Sequence, residues 1–225
     1  MVLLEYKNVS KKFGKKEALK DINLEISSGK IIGLFGKNGA GKTTMIKLAN
    51  NLLIPSSGQI LFKGEKLGII SKNSISYLPD KNYLEENNKV YQIYNFFADF
   101  YSNFDIEKAL LLSKKLEIDI DKQISKLSKG MIEKIRLVLV LSRDTELYIL
   151  DEPFEGIDPL TRDYILDIIK NLKKKSSIII CTHLINEVER ILDEVVFLDD
   201  GKIVFKDNVK NIKGVDILFK EMFKC

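Results

Sequence analysis

The chain of 225 residues lacks several features that would point to particular classes of protein. It has no tryptophan, one histidine and two cysteines, Cys181 and Cys225, which offer neither a disulfide framework nor metal-ligand spacing. Its longest apolar runs, 137–141 and 178–181, fall far short of the roughly 18 residues that suggest a membrane span. Charged residues occur too early in the first ten positions for a signal peptide, so we expect the chain in the cytosol.

The charge balance excludes a further class. The 36 Lys and Arg residues exceed the 32 Asp and Glu residues by only four, and the longest basic run is 173–175. A basic face with interleaved aromatic residues, which a nucleic-acid partner would require, is missing, so we expect no nucleic acid as a partner. With 45% hydrophobic residues the chain can bury a sizeable core, and we expect a single domain over 1–225.

The apolar pattern predicts strands and helices that alternate around a helical insert. Predicted strands lie at 2–9, 22–26, 56–64, 74–78, 147–150, 177–181, 194–198 and 202–205, and predicted helices at 160–172 and 184–192. Because strands alternate with helices, we expect a parallel sheet covered on both faces. Residues 80–143 change to helical spacing, which predicts a helical subdomain between the two parts of an α/β core with a β subdomain, 1–79 and 144–225.

Aromatic residues in the helical region follow two stripes with helical spacing. The stripes are Tyr91, Tyr94, Phe97 and Tyr101, and Phe96, Phe100 and Phe104. A helix that is apolar on two sides needs two partners. Either both stripes belong to the core, or one of them contacts another protein.

A glycine-rich stretch at 36–43, GKNGAGKT, fits the phosphate-loop pattern G-x-x-x-x-G-K-[ST]. Its glycines let backbone N–H groups converge on phosphate oxygens, and the helix that follows adds the positive end of its dipole. We expect Lys42 to reach the outer phosphates and Thr43 to offer its hydroxyl to Mg²⁺. The strand before the loop and the helix after it count against a chance glycine-rich turn.

Two further motifs complete a nucleotide site. In LYILDEP, at 147–153, Asp151 is placed to hold Mg²⁺ through water. Glu152, the next residue, can polarise an attacking water. Without the phosphate loop upstream, an Asp-Glu pair after a strand would be read as a solvated turn. In LSKGM, at 127–131, Ser128 suits a helix N-cap and Gly130 lets backbone approach an anion. The guanine-reading pattern N/T-K-x-D is missing, which counts against a GTPase, while a small-molecule kinase with a phosphate loop remains an alternative.

In order, GKNGAGKT, LSKGM, LYILDEP, EGIDP at 155–159 and TH at 182–183 resemble the signature set of the ATP-binding cassette (ABC) ATPases, over essentially the whole chain. The resemblance implies an α/β fold of the phosphate-loop NTPase class, with a mixed RecA-like core, an antiparallel β subdomain and an inserted α-helical subdomain. It implies an ATPase with ATP and Mg²⁺ as cofactors. In this family two cassettes stack head to tail, and each ATP lies between the phosphate loop of one and the signature of the other.

The resemblance also implies roles for single residues. ATP would be held by Phe13, Gly36, Asn38, Gly39, Gly41, Lys42, Thr43 and Thr44, and by Ser128 and Gly130 of the other cassette. Glu152 and His183 would be catalytic, and Thr43, Asp80 and Asp151 would serve the metal. Phe13 would stack on adenine, with an ordinary core residue as the alternative reading. The sequence departs from the family pattern at Asp80, where glutamine is usual, or glutamate in some bacterial exporters, and at Lys129, Met131 and Glu155.

The LSxGM and YLP-acid variants resemble small bacterial export cassettes. We therefore expect the ATPase subunit of a bacterial ABC exporter, peripheral on the cytoplasmic face of the membrane. Separate transmembrane permease subunits would dock between Asp80 and Tyr101, and a second cassette, of the same or a different chain, would complete the ATP sites. The alternative is a soluble ABC ATPase that remodels a cytosolic assembly or translation complex.

Overall fold

The computed structural model describes residues 1–224, without the side chain of Ile70, and Cys225 lies outside the described residues. The strands are β1 (Val2–Phe13), β2 (Lys16–Ser27), β3 (Ile31–Phe35), β4 (Ser57–Phe62), β5 (Glu65–Lys66), β6 (Ile75–Leu78), β7 (Leu147–Asp151), β8 (Ser177–Cys181), β9 (Glu194–Asp199) and β10 (Lys202–Asn208). The α-helices are α1 (Lys42–Ala49), α2 (Ile69–Ser74), α3 (Val90–Phe100), α4 (Ile106–Lys115), α5 (Lys129–Leu141), α6 (Pro159–Leu172), α7 (Ile185–Val188) and α8 (Val215–Phe223).

These strands form two sheets. The larger has six strands in the order β10-β9-β3-β8-β7-β6, and all neighbours run parallel except β10, which returns antiparallel to β9. The smaller sheet, β2-β1-β4-β5, is antiparallel throughout. The expected fold class is thereby confirmed: a mixed α/β core with an antiparallel β part and helices between β6 and β7.

The central strands are buried on both faces because their side chains alternate between two hydrophobic clusters. In β3, Ile31 and Phe35 lie in one cluster, and Ile32 and Leu34 lie in the other. The first cluster is completed by helices α3 to α6 and α8, and the second by α1 and the antiparallel sheet. This alternation is why the strand sequences are continuous apolar runs, as expected for parallel strands covered on both sides.

Several element boundaries differ from the sequence prediction. The strands predicted at 2–9 and 22–26 are the buried parts of a longer hairpin, β1–β2, whose polar ends pair Phe13 with Lys16. Ser74 ends helix α2 and does not begin a strand. The helix predicted at 184–192 is the single turn α7 followed by a 3₁₀ turn. Helices α2 and α8 were not predicted from the sequence.

The two predicted aromatic stripes differ in their solvent exposure. Tyr94 is buried, and Phe97 packs partly buried against the same cluster. Helix α3 ends at Phe100, so the placement of Phe104 on the second stripe is wrong: it follows the helix and is buried beside Tyr94 and Phe97. Phe96 and Phe100 are 62% and 69% exposed, with their rings stacked at 6.0 Å. One stripe therefore belongs to the core, and the other leaves an exposed aromatic pair.

The helices between β6 and β7 lie within the predicted insert, 80–143, but the division of the chain into subdomains stays a prediction. The longest helix among residues 1–224 is α6, with 14 residues. Over that range no helix combines the length and the apolarity that a bilayer span requires.

Candidate ATP-binding site

The phosphate loop joins the central strand β3 to helix α1. Lys42, the first residue of α1, folds back over the loop and donates to the carbonyl oxygens of Gly36 at 2.6 Å and Lys37 at 3.1 Å. A side chain at Gly36 would bring its Cβ within 2.2 Å of the Leu198 carbonyl oxygen, so only glycine fits there. Gly41 has a φ of 110°, a left-handed conformation that a side chain would strain. The loop is thus preformed around the Lys42 ammonium group.

Strand β7 carries Asp151 to the same edge of the sheet. Its carboxylate is 3% exposed, and its Oδ2 atom has no hydrogen-bond partner among the described residues. The pKa of Asp151 is raised to about 6, first by burial and then by the neighbouring charges of Asp80 and Glu152; a hydrogen bond with Cys181 and the charge of Lys42 oppose the rise. A buried acceptor without a donor, near a lysine, is suited to a cation or to water bound to one.

Glu152 and His183 are in direct contact. Glu152 has a positive φ of 51°, and its N–H donates to the Cys181 carbonyl oxygen at 2.8 Å, which turns the chain sharply after β7. Its Oε2 atom lies 3.0 Å from Nδ1 of His183 and accepts from the His183 backbone N–H at 3.4 Å. The histidine is 69% exposed and the glutamate 21%. A carboxylate held from one side and open on the other can accept a proton from a bound water.

These elements surround a polar cavity of about 400 Å³. Most of the predicted site residues line it: Phe13, Asn38, Gly39, Gly41, Lys42, Thr43, Thr44, Asp80, Asp151 and Glu152. Phe13 is 48% exposed, so its reading as an ordinary core residue is wrong. The sequence prediction missed Lys16 and Ala18, which also line the cavity. Their alternate spacing on β2 places them on one face, but that strand was predicted to begin only at residue 22.

The chemistry of this cavity fits Mg²⁺. Thr43, Asp80 and Asp151 line one space, and Asp151 contributes the buried oxygen without a partner. Within residues 1–224 no group of three or more His, Cys, Asp or Glu side chains is arranged to hold a metal ion by itself. Mg²⁺ in nucleotide sites is usually held by one or two carboxylates together with waters and substrate phosphates. The residues present therefore suit a cation that arrives with a nucleotide.

Ser128 and Gly130 are not among the residues that line this cavity. Ser128 caps helix α5, where its Oγ accepts from the Met131 N–H at 3.3 Å. A Cβ at Gly130 would approach the Gly156 carbonyl oxygen to 2.9 Å, so the backbone at 130 packs closely on the turn after Glu152. The chain thus has a second helix N-terminus suited to an anion, apart from the phosphate loop.

Two ion pairs join this second helix start to the turn that leads into α6. Lys129 lies 2.5 Å from Glu155, and Lys134 lies 3.5 Å from Asp158. Asp158 caps α6 by accepting from the Thr161 N–H at 3.0 Å, and this hydrogen bond is the main reason that its pKa is lowered to about 2. Two of the four residues that depart from the family pattern, Lys129 and Glu155, are therefore partners of each other.

Comparisons with known proteins agree with this geometry. The family model described as "ABC transporter" matches residues 19–155. The ABC transporter ATP-binding protein YtrB of Bacillus subtilis (strain 168) is 32% identical, over 99% of this chain and 75% of YtrB. The lantibiotic transport ATP-binding protein SrtF of Streptococcus pyogenes is 29% identical over 96% of each chain. A solved structure of the ATP-binding subunit of an ABC transporter superposes with a TM-score of 0.90 at 28% identity, over 98% of this chain and 99% of that one.

Relatives of similar identity carry names for both directions of transport. The Nod factor export ATP-binding protein I of Rhizobium sp. (strain N33) is 29% identical over 89% of this chain and 69% of its own. The phosphonates import ATP-binding protein PhnC of Treponema denticola is also 29% identical, over 99% of this chain and 95% of its own. The matched family, the overall superposition and the cavity formed by the phosphate loop, Asp151 and Glu152 lead to one conclusion: the chain belongs to the ABC transporter family, as an ATP-binding cassette with ATPase activity.

Proposed function

We propose that this chain is the ATP-hydrolysing subunit of a bacterial ABC exporter and that it works through ATP-dependent, head-to-tail dimerisation. The observation that carries the proposal is the separation of the two anion-binding helix starts. The phosphate loop lines the cavity with Asp151 and Glu152, while Ser128 and Gly130 lie outside it. A second cassette facing the cavity would bring its own Ser128 and Gly130 to the outer phosphate, which gives both helix starts a ligand.

In this arrangement each group has a chemical task. The backbone N–H groups of the phosphate loop and Lys42 hold the phosphates, and Phe13 stacks on the adenine ring. Thr43, Asp80 and Asp151 would hold Mg²⁺, which would supply positive charge to neutralise the phosphate oxygens. Glu152 orients the attacking water and accepts its proton, while His183 holds the Glu152 carboxylate through Nδ1. Hydrolysis removes the phosphate that bridges the two chains, and the dimer reopens.

A variant that binds ATP but does not hydrolyse it tests the dimer. Glu152→Gln removes the base and is expected to lower kcat by about 10²-fold or more. Light scattering with Mg-ATP should then show a stable dimer, and without nucleotide a monomer. Adding Ser128→Ala on the same background should leave the affinity for ATP unchanged and prevent the dimer. A Glu152→Gln protein that binds ATP and stays monomeric would contradict self-association and would indicate a different cassette as the partner.

A groove of about 620 Å³ supports the docking of a membrane subunit. It lies between the sheet core and the helical region, next to β6. Tyr83, Phe97, Phe100 and Tyr101 line it, within the segment expected to meet the permease. Phe96, whose ring stacks on that of Phe100, is also exposed. Aromatic side chains at an exposed groove are typical of protein interfaces. We propose that a cytoplasmic segment of a separate permease subunit occupies this groove, which places the cassette on the cytoplasmic face of the membrane.

Copurification from detergent-solubilised membranes tests this docking. The tagged chain should retain an integral membrane protein, and Phe100→Ser should release it while leaving ATP affinity unchanged. Phe13→Ser, at an aromatic residue that is 48% exposed and lies outside the groove, is the control for recovery of the membrane protein and should retain it. If the tagged chain retained a soluble assembly or ribosomal particles and no membrane protein, the result would favour the alternative function, a soluble ABC ATPase that remodels such a complex.

The direction of transport needs its own experiment. Export is supported by the LSKGM motif and by the similarity to the Nod factor export ATP-binding protein I. PhnC, by contrast, is named as a phosphonates import protein. Inside-out vesicles that contain the complex should accumulate the substrate when ATP is added outside. Mass spectrometry of vesicle contents, against vesicles with Glu152→Gln, would detect this. ATP-dependent loss of a compound from the vesicles would contradict export.

A further inference from the structure

Helix α5 (Lys129–Leu141) carries the buried Arg136, and a second buried arginine, Arg143, lies two residues after the helix ends. Arg136 is 2% exposed and Arg143 is 4% exposed. Both side chains reach the backbone around the edge strand β6. Between them, Ser76 of β6 donates its hydroxyl to the Val140 carbonyl oxygen at 2.9 Å. Strand β6 is thus bound at its start by Arg143, within the strand through Ser76, and just after its end by Arg136.

Arg143 holds the start of β6. Its guanidinium donates to the carbonyl oxygens of Ile75 at 2.9 Å and Asn73 at 3.2 Å. It also donates to the side chain of Asn103 at 3.1 Å, and the Tyr101 ring centroid lies 3.9 Å from its guanidinium carbon. These contacts hold the junction between α2 and β6, which lies away from the ATP cavity.

Arg136 holds the other end, where β6 leads into the segment that carries Asp80. Its Nη2 atom donates to the carbonyl oxygens of Pro79 and of Lys81, the latter at 3.1 Å. Its Nη1 atom pairs with Glu133 one turn earlier on α5. Residues 79–88 form neither helix nor strand, so no ladder of backbone hydrogen bonds holds them in place. The carbonyls on both sides of Asp80 are therefore bound by one buried guanidinium.

We propose that Arg136 is a positioning residue for ATP hydrolysis, which fixes Asp80 in the cavity through the Pro79 and Lys81 carbonyls. Asp80 is exposed and borders the cavity beside Asp151 and Glu152. A buried guanidinium must keep its hydrogen-bond acceptors, so these two carbonyls cannot move independently of α5. The inference rests on the proposed role of Asp80 at the metal site.

The physical consequence is a link between the two anion-binding regions of the chain. The helix that begins at Ser128 holds, two turns later, the backbone on either side of Asp80. Small displacements of catalytic groups are costly, since a misplacement of about 1 Å can lower a rate by roughly 10²-fold. Losing the Arg136 guanidinium should therefore lower the rate of hydrolysis through Asp80, with less effect on nucleotide affinity, which depends on the phosphate loop.

A double-mutant cycle separates this role from a general structural one. Arg136→Lys keeps a positive charge, but its single ammonium group replaces a guanidinium that binds Glu133 through Nη1 and both carbonyls through Nη2, and cannot make all three contacts with the same planar geometry. It should lower kcat by about tenfold or more and leave the KM for ATP within about twofold. On an Asp80→Ala background the same substitution should have no further effect on kcat. Arg143→Lys, the matched control, should change kcat by the same factor in both backgrounds.

NMR relaxation of the backbone provides a second measurement that does not depend on activity. Without nucleotide, Arg136→Lys should lower the backbone order parameters of residues 80–84, while Arg143→Lys should leave them unchanged. If Arg136→Lys and Asp80→Ala lower kcat independently, or if the order parameters at 80–84 are unaltered, the positioning role is refuted and the role of Asp80 stands. If Asp80→Ala leaves kcat unchanged, the metal-site role proposed for Asp80 fails, and the positioning role fails with it.

Discussion

Asp151 should destabilise the nucleotide-free protein, and its replacement by asparagine should therefore make the fold more stable. The carboxylate is almost completely buried, and Oδ2 finds no donor among the described residues. Asparagine has nearly the same shape and carries no charge, so Asp151→Asn removes the desolvation cost of the ionised group. Functional sites commonly retain such unfavourable groups because their ligand requires them.

The magnitude and its pH dependence follow from the pKa. The pKa of Asp151 rises from 3.8 to about 6, mainly because of burial. One pKa unit corresponds to about 1.4 kcal/mol, so ionisation costs the folded state about 3 kcal/mol at pH 7.5. Since the folded-state pKa is the higher one, the folded protein binds the proton more tightly. The favourable contribution of the protonated group is complete below pH 3.8 and is lost as the pH rises through about 6.

Urea unfolding in the presence of EDTA, at pH 4 and at pH 7.5, is the assay. At pH 7.5 Asp151→Asn should raise the free energy of unfolding by up to about 3 kcal/mol, a midpoint shift of about 1 M urea. At pH 4 the two proteins should differ much less, because most of the folded wild type is then protonated at this site. Asp80→Asn is the control: it removes a lesser cause of the pKa rise and should stabilise less. Equal stability of wild type and Asp151→Asn at pH 7.5 would refute the reasoning.

Three further predictions concern other parts of the molecule. Lys42→Ala should weaken ATP binding by at least about tenfold in calorimetry, because charge-assisted hydrogen bonds to phosphate are lost, and unchanged affinity would contradict its role. His183→Ala should lower kcat more than it raises the KM for ATP, because Glu152 loses its Nδ1 contact; a change confined to KM would argue against this. Ile165→Ala should reduce the free energy of unfolding by about 2–5 kcal/mol, because Ile165 is fully buried on α6. Leu160→Ala, 84% exposed on the same helix, should change it by about 0.5 kcal/mol or less, and similar losses at both positions would contradict the assigned core.

The features predicted correctly from the sequence are those encoded in contiguous segments. The phosphate loop at 36–43 needs only its own glycines, the strand before it and the helix after it. The continuous apolar runs at 147–150 and 178–181 predicted strands covered on both faces, and β7 and β8 are buried along their whole length. Ser128 was expected to cap a helix because its hydroxyl reaches the backbone of the next turn, and this was confirmed.

The tertiary structure alone decided which side chains from distant segments come into contact. A period of 3.6 or 2 residues shows which face of an element is apolar, but not which element covers it, so Phe104 was assigned to the wrong stripe and α8 was missed. The order of strands places Asp151 beside Cys181, and the β1–β2 hairpin brings Phe13 and Lys16 to the phosphate loop. Arg136 donates hydrogen bonds to the carbonyl oxygens of Pro79 and Lys81, which lie more than fifty residues earlier in the chain. The burial that raises the pKa of Asp151 likewise depends on packing between distant segments. Local sequence sets the chemistry of each group, whereas long-range packing sets its distance, its solvent exposure and its neighbours.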